Sequence, residues 1–436
     1  MSNYYTPIDV ARALTRHAPR NLSTVLEPAV GTGLLLKPLL PRLRSATEVV
    51  CIDKDGKALS QLKGEFAPQL GSKLEVIRTD FVKWPARTAG GGDGRTFDCV
   101  VMNPPFEGKR DKFVDFTCPP EAPGGRERLR RVAVEVAFVV KAVQLLKPGG
   151  RLLAIVPSSI ITSLSTAWLR EFLLREGAVR YVHELPRFTF EDVSARIYLF
   201  IFEKRGNQMR LALFNHDLAE PESLTVRKSD LAPDYRFDYG YHHARKWLAD
   251  VKRLKKRLMW VPLRDVADVI RGDMSSPEGA RRAIHTTNYK DGFWTAGDRK
   301  RHLKPSKAET GVRGNDILVK RVGRDCSRTF GKVTDARGYA TSDCVLIVRP
   351  RNADSVKLLF AVRTVLGSEF GPSLLERGTG APYLTLAELP DVEIPVNLSE
   401  VYCGAFIRYQ RAVGERKFAE MLAVEEKVRK SLNVDA

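Results

Sequence analysis

Residues 24–33 read Thr24-Val25-Leu26-Glu27-Pro28-Ala29-Val30-Gly31-Thr32-Gly33. The β-branched and aliphatic start predicts a short strand over 24–26. Gly31 and Gly33 then form a turn where backbone can approach a ligand closely. A second strand is predicted over 48–52, and Cys51-Ile52-Asp53 closes it with a carboxylate. A glycine turn after one strand, with an acid about 20 residues further on, is the spacing of a nucleotide site at the carboxyl edge of a sheet. Asp53 there is placed to accept both ribose hydroxyls. The glycine pattern is GxG only, without the third glycine of a dinucleotide fingerprint.

Outward from this stretch, strand and helix patterns alternate. Further strands are predicted over 74–78, 97–102, 151–156, 179–184 and 195–203. Helices are predicted over 8–17, with Pro7 at the first turn, and over 56–66, 126–146 and 167–175. A helix over 34–43 is shortened by Pro38 and Pro41. The glycine-rich residues 89–94 read as a loop, and Lys147-Pro148-Gly149-Gly150 as a turn before the fifth strand. Alternating strands and helices imply βαβ units and an α/β fold with a parallel, doubly wound sheet.

The character changes after about residue 205. Residues 246–257 carry Lys252, Arg253, Lys255, Lys256 and Arg257 on a predicted helix. The last third mixes short strands with glycine turns and closes on a charged helix over 422–432. The organisation expected is a catalytic domain over 1–205, a basic connector over 206–260, and a C-terminal α+β domain over 261–436.

The chain has 436 residues and a formal net charge of +19, which favours an anionic partner such as nucleic acid. No apolar run is long enough to span a bilayer and no signal peptide is visible, so no membrane partner is expected. Cys51, Cys99, Cys118, Cys326, Cys344 and Cys403 are scattered, without a CxxC pair. They read as reduced thiols of a cytoplasmic protein, with no metal site.

Two further constellations carry chemistry. Asp80-Phe81 follows the third strand; the carboxylate can accept from an adenine amino group while Phe81 packs beside the ring, or Asp80 is simply a helix N-cap. Asn103-Pro104-Pro105-Phe106 ends the fourth strand. An exocyclic amino nitrogen is a poor nucleophile because its lone pair is delocalised into the ring. Two acceptors, the Asn103 side-chain oxygen and the Pro104 carbonyl, can bind its two N–H groups and localise that lone pair. Pro105 stiffens the segment and Phe106 can stack on the base. This is positional and electrostatic catalysis, requiring no His or Cys nucleophile.

As a set, these residues resemble the gamma-class N6-adenine DNA methyltransferases. Tyr5-Thr6-Pro7 resembles the family's N-terminal cofactor motif, and Glu27-Pro28-Ala29-Val30-Gly31-Thr32-Gly33 its main cofactor loop. Asp53 resembles its ribose ligand, although Ile52 stands where an acid often precedes it. Asp80-Phe81 resembles its adenine-pocket pair, and Asn103 to Phe106 matches its catalytic tetrapeptide. Phe190 resembles a later aromatic that contacts the target base; a core Phe is the competing reading, and Phe188 the competing candidate. The resemblance implies a Rossmann-like domain using S-adenosyl-L-methionine on double-stranded DNA, in a restriction-modification or related defence system. A cognate restriction endonuclease or specificity subunit is the implied protein partner.

Residues 261–268, 315–319, 342–343 and 384–395 resemble landmarks of the recognition domains of type I specificity subunits, more loosely than the first half resembles its family. Lys320, Arg321, Arg324 and Arg328 lie among them, and with Lys252, Arg253 and Lys255 are the candidate DNA contacts. Alternatives are the same chemistry on RNA adenine, cytosine N4 or protein glutamine, and a non-catalytic DNA-specificity subunit. No nuclease motif is evident.

Overall fold

The computed structural model describes residues 6–85, 94–105, 113–120, 125–186, 189–190, 196–207, 209–217, 219–232, 235–272, 275–276, 282–298, 304–305, 311–334, 339–351, 354–378 and 381–432. The chain divides into two compact units, Met1–Tyr239 and Gly240–Ala436.

The first unit is built on a nine-stranded sheet. Its strands are β1 (Thr24–Pro28), β2 (Glu48–Asp53), β3 (Leu74–Arg78), β4 (Phe97–Met102), β7 (Leu146–Pro157), β8 (Gly177–Glu184), β9 (Ile197–Lys204), β10 (Arg210–Phe214) and β11 (Ser223–Arg227). β5 (Phe113–Cys118) and β6 (Arg128–Ala133) form a separate hairpin. The sheet order is β11-β10-β8-β9-β7-β4-β1-β2-β3. β3, β2, β1, β4 and β7 are mutually parallel.

Alternate side chains of each central strand go to opposite faces, as the strand period demands. Leu26, Val50, Val100 and Leu152 join one core, with α4 (Val134–Leu145), α5 (Ser158–Thr162) and α6 (Ala167–Glu176) packed on it. Val25, Cys51, Val101 and Leu153 join the other, covered by α1 (Ile8–Thr15), α2 (Leu40–Leu43) and α3 (Gly56–Leu70). The α/β, doubly wound architecture is therefore the one the sequence predicts, on strands apolar on both faces.

Three features differ from the expectation. The sheet is mixed: β9 runs antiparallel to both β7 and β8, and β11 antiparallel to β10. Among the described residues between β8 and β9 there is no helix, and the two strands pair as antiparallel neighbours, which need no crossover. Second, the pattern over 126–146 yields a helix only from Val134. Arg128–Ala133 pairs with Phe113–Cys118 instead, burying Val132 beside partly buried Val114 and leaving Arg131 exposed. Third, the first unit extends past residue 205, because β10 and β11 complete its sheet. The segment 206–260 is thus divided: its start belongs to the first unit, while α7 (Tyr239–Leu254) lies almost wholly in the second.

The second unit is α+β. Its six-stranded sheet runs in the order Ala267–Arg271, Val345–Pro350, Ile317–Lys320, Gly331–Val333, Phe293–Trp294, Tyr289–Lys290. Helices Ser355–Leu366, Cys403–Gly414 and Phe418–Leu432 accompany it. Of the landmark residues 261–268, Val261 and Pro262 belong to the strand Trp260–Pro262, which pairs antiparallel with Glu393–Pro395. Among the described residues no helix is long and apolar enough to cross a membrane.

Candidate active site

The parallel strands β3, β2, β1 and β4 are neighbours, so their carboxyl ends form one continuous edge. The register pairs Pro28 with Ile52, Asp53 with Arg78, and Leu26 with Val100, which sets the strand ends level. Asp80, Asp53, the Glu27–Gly33 turn and Asn103 follow these ends in that order. Three strand intervals separate the outermost two, about 14 Å.

The turn after β1 is held in an uncommon backbone form. Ala29, Gly31 and Gly33 have φ of 56°, 54° and 79°. Asp53 fixes it in place, because Asp53 Oδ2 accepts the Gly31 N–H at 2.8 Å while Oδ1 accepts the Asp55 N–H at 3.0 Å. The two glycines serve different ends. A Cβ on Gly33 would meet Phe66 Cε2 at 2.7 Å, so packing against α3 requires glycine there. A Cβ on Gly31 would meet nothing within 4 Å, so the backbone there borders open space.

Glu27 sits at the end of β1 and is 2% exposed. Its Oε2 is buried with no hydrogen-bond partner among the described residues. Burial, and secondarily the Asp53 charge, push its carboxyl well above the usual carboxylate range. Asp80 behaves oppositely. Burial alone would raise it, but the Lys54 ammonium at 2.9 Å and the Val82 N–H at 2.9 Å outweigh that and hold the carboxyl low.

Asn103 follows β4 and is half-buried. Its Nδ2 donates to Thr6 Oγ1 at 3.1 Å, while its Oδ1 is buried without a donor among the described residues. Pro104 is buried and Pro105 exposed. A buried carbonyl-type oxygen left unsatisfied is unfavourable by roughly 1–3 kcal/mol. Such an atom marks a place where an N–H from elsewhere would fit.

Residues 50–189 match the model of the Eco57I restriction-modification methylase family.

That match runs from β2 to beyond β8 and includes Asn103-Pro104. Among curated proteins, Defense against restriction protein B of Escherichia phage P1 is 28% identical over 204 residues, which is 44% of this chain and 8% of that protein. The type II methyltransferase M.BsuBI of Bacillus subtilis is 23% identical over 208 residues, 42% of this chain and 39% of that enzyme. This chain therefore spans well under half the length of either relative. Among solved structures, the type IIG restriction endonuclease BpuSI aligns over 98% of this chain and 65% of its own, at 14% identity and a TM-score of 0.46. The family-model match lies within the first unit.

Other residues singled out in the sequence have diverse placements. Thr6, grouped above with cofactor residues, meets Asn103. Phe81 is 2% exposed and packs 4.9 Å from the Phe138 ring, within the core. Phe190 is 3% exposed and joins the core cluster of Tyr181 and Leu185, as the competing core reading has it. Tyr5, Phe106 and Phe188 lie outside the described residues.

The basic candidates are unequally engaged. Lys252 is ion-paired with Glu393 and lies over the Trp260 ring. Arg253 pairs with Asp250 at 3.2 Å, and Arg321 donates to the Asp343 carbonyl. Lys320 lies over Tyr289, and Arg328 reaches the Ser368 carbonyl at 3.5 Å. Lys255 is half-buried and Arg324 exposed.

Sequence reasoning missed Lys54 and Lys141. Lys141 is a buried charge inside the apolar run Val134–Leu145, and that isolation was the available signal.

Proposed function

We propose that this chain is a site-specific DNA adenine N6-methyltransferase using S-adenosyl-L-methionine, of a restriction-modification or related defence system. The observation that carries the reading is the Asn103 amide: Thr6 holds its NH₂ end, and its oxygen is buried and lacks a donor among the described residues. It stands one strand from the glycine turn.

The residues present fit the cofactor. The buried Glu27 Oε2, without a hydrogen-bond partner among the described residues, suits an ammonium, whose positive charge would oppose the upward push of burial and favour the carboxylate. The open space beside Gly31 suits close backbone approach, and the low Asp80 carboxylate suits an amino donor. Asp53 retains lone pairs for ribose hydroxyls beyond the two N–H groups it accepts. When bound, S-adenosylmethionine supplies an electrophilic methyl group on a sulfonium.

The protein's own residues prepare the nucleophile. An adenine inside a duplex is out of reach, so the base is rotated out, at a cost of a few kcal/mol. Asn103 Oδ1 and the Pro104 carbonyl accept its two amino N–H groups and localise the nitrogen lone pair. Phe106 stacks on the extruded ring. Thr6 keeps the Asn103 oxygen, rather than its NH₂, turned to the base. Fixing this geometry in advance is how such a site lowers a barrier without covalent chemistry. The second unit is the DNA-recognition domain in this reading; the net charge of +19 supports an anionic partner.

The test is tritiated-methyl incorporation by the purified chain into duplex DNA, RNA and a glutamine-containing peptide, with nucleoside analysis of the product. N6-methyladenine in duplex DNA alone supports the reading. Label in RNA or peptide, or in cytosine, replaces it with another acceptor. Duplex binding without transfer makes the chain a specificity subunit.

A further inference from the structure

Lys141 lies mid-way along α4 and is 2% exposed. Its ammonium donates to the Phe81 carbonyl at 2.6 Å, to the Val82 carbonyl at 3.0 Å, and to the Trp84 carbonyl. Three donors thus meet three acceptors, all in one turn. That turn begins at Asp80, whose own carbonyl accepts the Lys83 and Trp84 N–H groups at 3.0 and 2.8 Å. The same ammonium lies 5.1 Å from the Phe81 ring centroid.

A charge is buried at this depth only where its surroundings compensate it. Here the compensation is aimed at a single short segment. The Phe81, Val82 and Trp84 carbonyls converge on this one cation, and the negative ends of three carbonyl dipoles favour a positive charge there. Methionine or leucine would fill the same helix position without any buried charge. The lysine is therefore not explained by packing of α4 alone.

We propose that Lys141 is a positioning residue for the base-binding end of the cofactor pocket. It anchors the 81–84 turn so that the Asp80 carboxylate is presented at the sheet edge. This rests on the reading of Asp80 as the group that receives the cofactor's adenine. Lys141 touches neither cofactor nor substrate; it acts through the turn. Burial, only partly offset by Asp80, brings its ammonium down to about 8. Raising the pH therefore removes one of the three donors. Among the described residues, Asp80 is the charged group set against Lys141, and Lys54 and Lys83 flank Asp80.

The experiment uses the full chain and two non-reactive probes in calorimetric titrations: adenosine, which has the base and ribose only, and sinefungin, which adds the amino-acid end. Lys141→Met is expected to weaken both probes by the same factor, about tenfold or more. Glu27→Gln is expected to weaken sinefungin and leave adenosine unchanged. Adenosine binding by Lys141→Met within about twofold of the parent, at a similar melting temperature, would overturn the assignment. If Lys141→Met does not fold, the parent chain decides: its adenosine affinity should fall between pH 7 and pH 9, and a flat profile rejects the role. A parent chain that binds neither probe overturns the cofactor-pocket reading itself, and this proposal with it.

Discussion

The Thr6 hydroxyl oxygen lies 3.1 Å from Asn103 Nδ2 and accepts its hydrogen bond, which leaves Asn103 Oδ1 as a buried acceptor without a donor among the described residues. Residues 97 positions apart in the chain thus set which end of one amide faces the site. The link matters because a rotated amide would offer donors to a group that is itself a donor.

Thr6→Val removes the acceptor at nearly constant volume. One neutral hydrogen bond is worth about 1 kcal/mol, so methyl transfer should slow about three- to tenfold, with cofactor affinity little changed. Single-turnover rates and a sinefungin titration check this. An equal loss in both would assign Thr6 to the cofactor side.

Glu27→Gln separates stability from binding. The folded chain holds the Glu27 proton more tightly than the unfolded chain does, because its carboxyl is raised well above 4.5. Glu27's contribution is therefore complete below that value and is lost as pH rises towards the folded pKa. Gln keeps the neutral shape at every pH. The variant should melt at a temperature similar to the parent at pH 5 and higher than the parent at pH 8, while binding sinefungin more weakly. A parent that melts higher at pH 8 would show that Glu27 is ionised and paired in the free protein.

Gly31→Ala and Gly33→Ala should diverge. Both positions have positive φ, which costs Ala about 1–2 kcal/mol relative to glycine. At Gly33 the added Cβ also collides with Phe66, so thermal stability should fall further. At Gly31 the Cβ enters open space, so the stability loss should stay small while cofactor affinity collapses. Thermal melts with paired titrations read both. A reversed order would mean that the open space at Gly31 is not where a ligand approaches.

The basic residues differ in how free they are to meet a phosphate. Arg324 is exposed, whereas Lys252 is committed to Glu393 and Trp260. Arg324→Ala should lower the salt-dependence slope of duplex binding by about 1. Lys252→Ala should leave it near the parent value. Fluorescence anisotropy across a salt series measures both, and identical slopes would remove Arg324 from the interface.

Much of the site is legible in the sequence because each part is a local signal. The glycine turn, Asp53 and Asn103-Pro104 all sit at strand ends that hydrophobic runs mark clearly. Strand direction is less visible. It depends on whether a connection makes a crossover, and β9 reverses against the parallel sheet expected. The hairpin of β5 and β6 was hidden because Arg128-Leu129-Arg130-Arg131 reads as a charged helix start until its partner strand is known. Lys141 was hidden for a related reason: what it does depends on the turn it faces, not on its neighbours in α4.

Modification mapping of plasmid DNA from cells expressing this chain, beside cells expressing Asn103→Ala, bears most directly on the central claim. The account predicts N6-methyladenine at one recurring sequence with the parent and none with the variant, although the purified variant still binds sinefungin. Unmodified adenine with the parent, or undiminished methylation with Asn103→Ala, would contradict it.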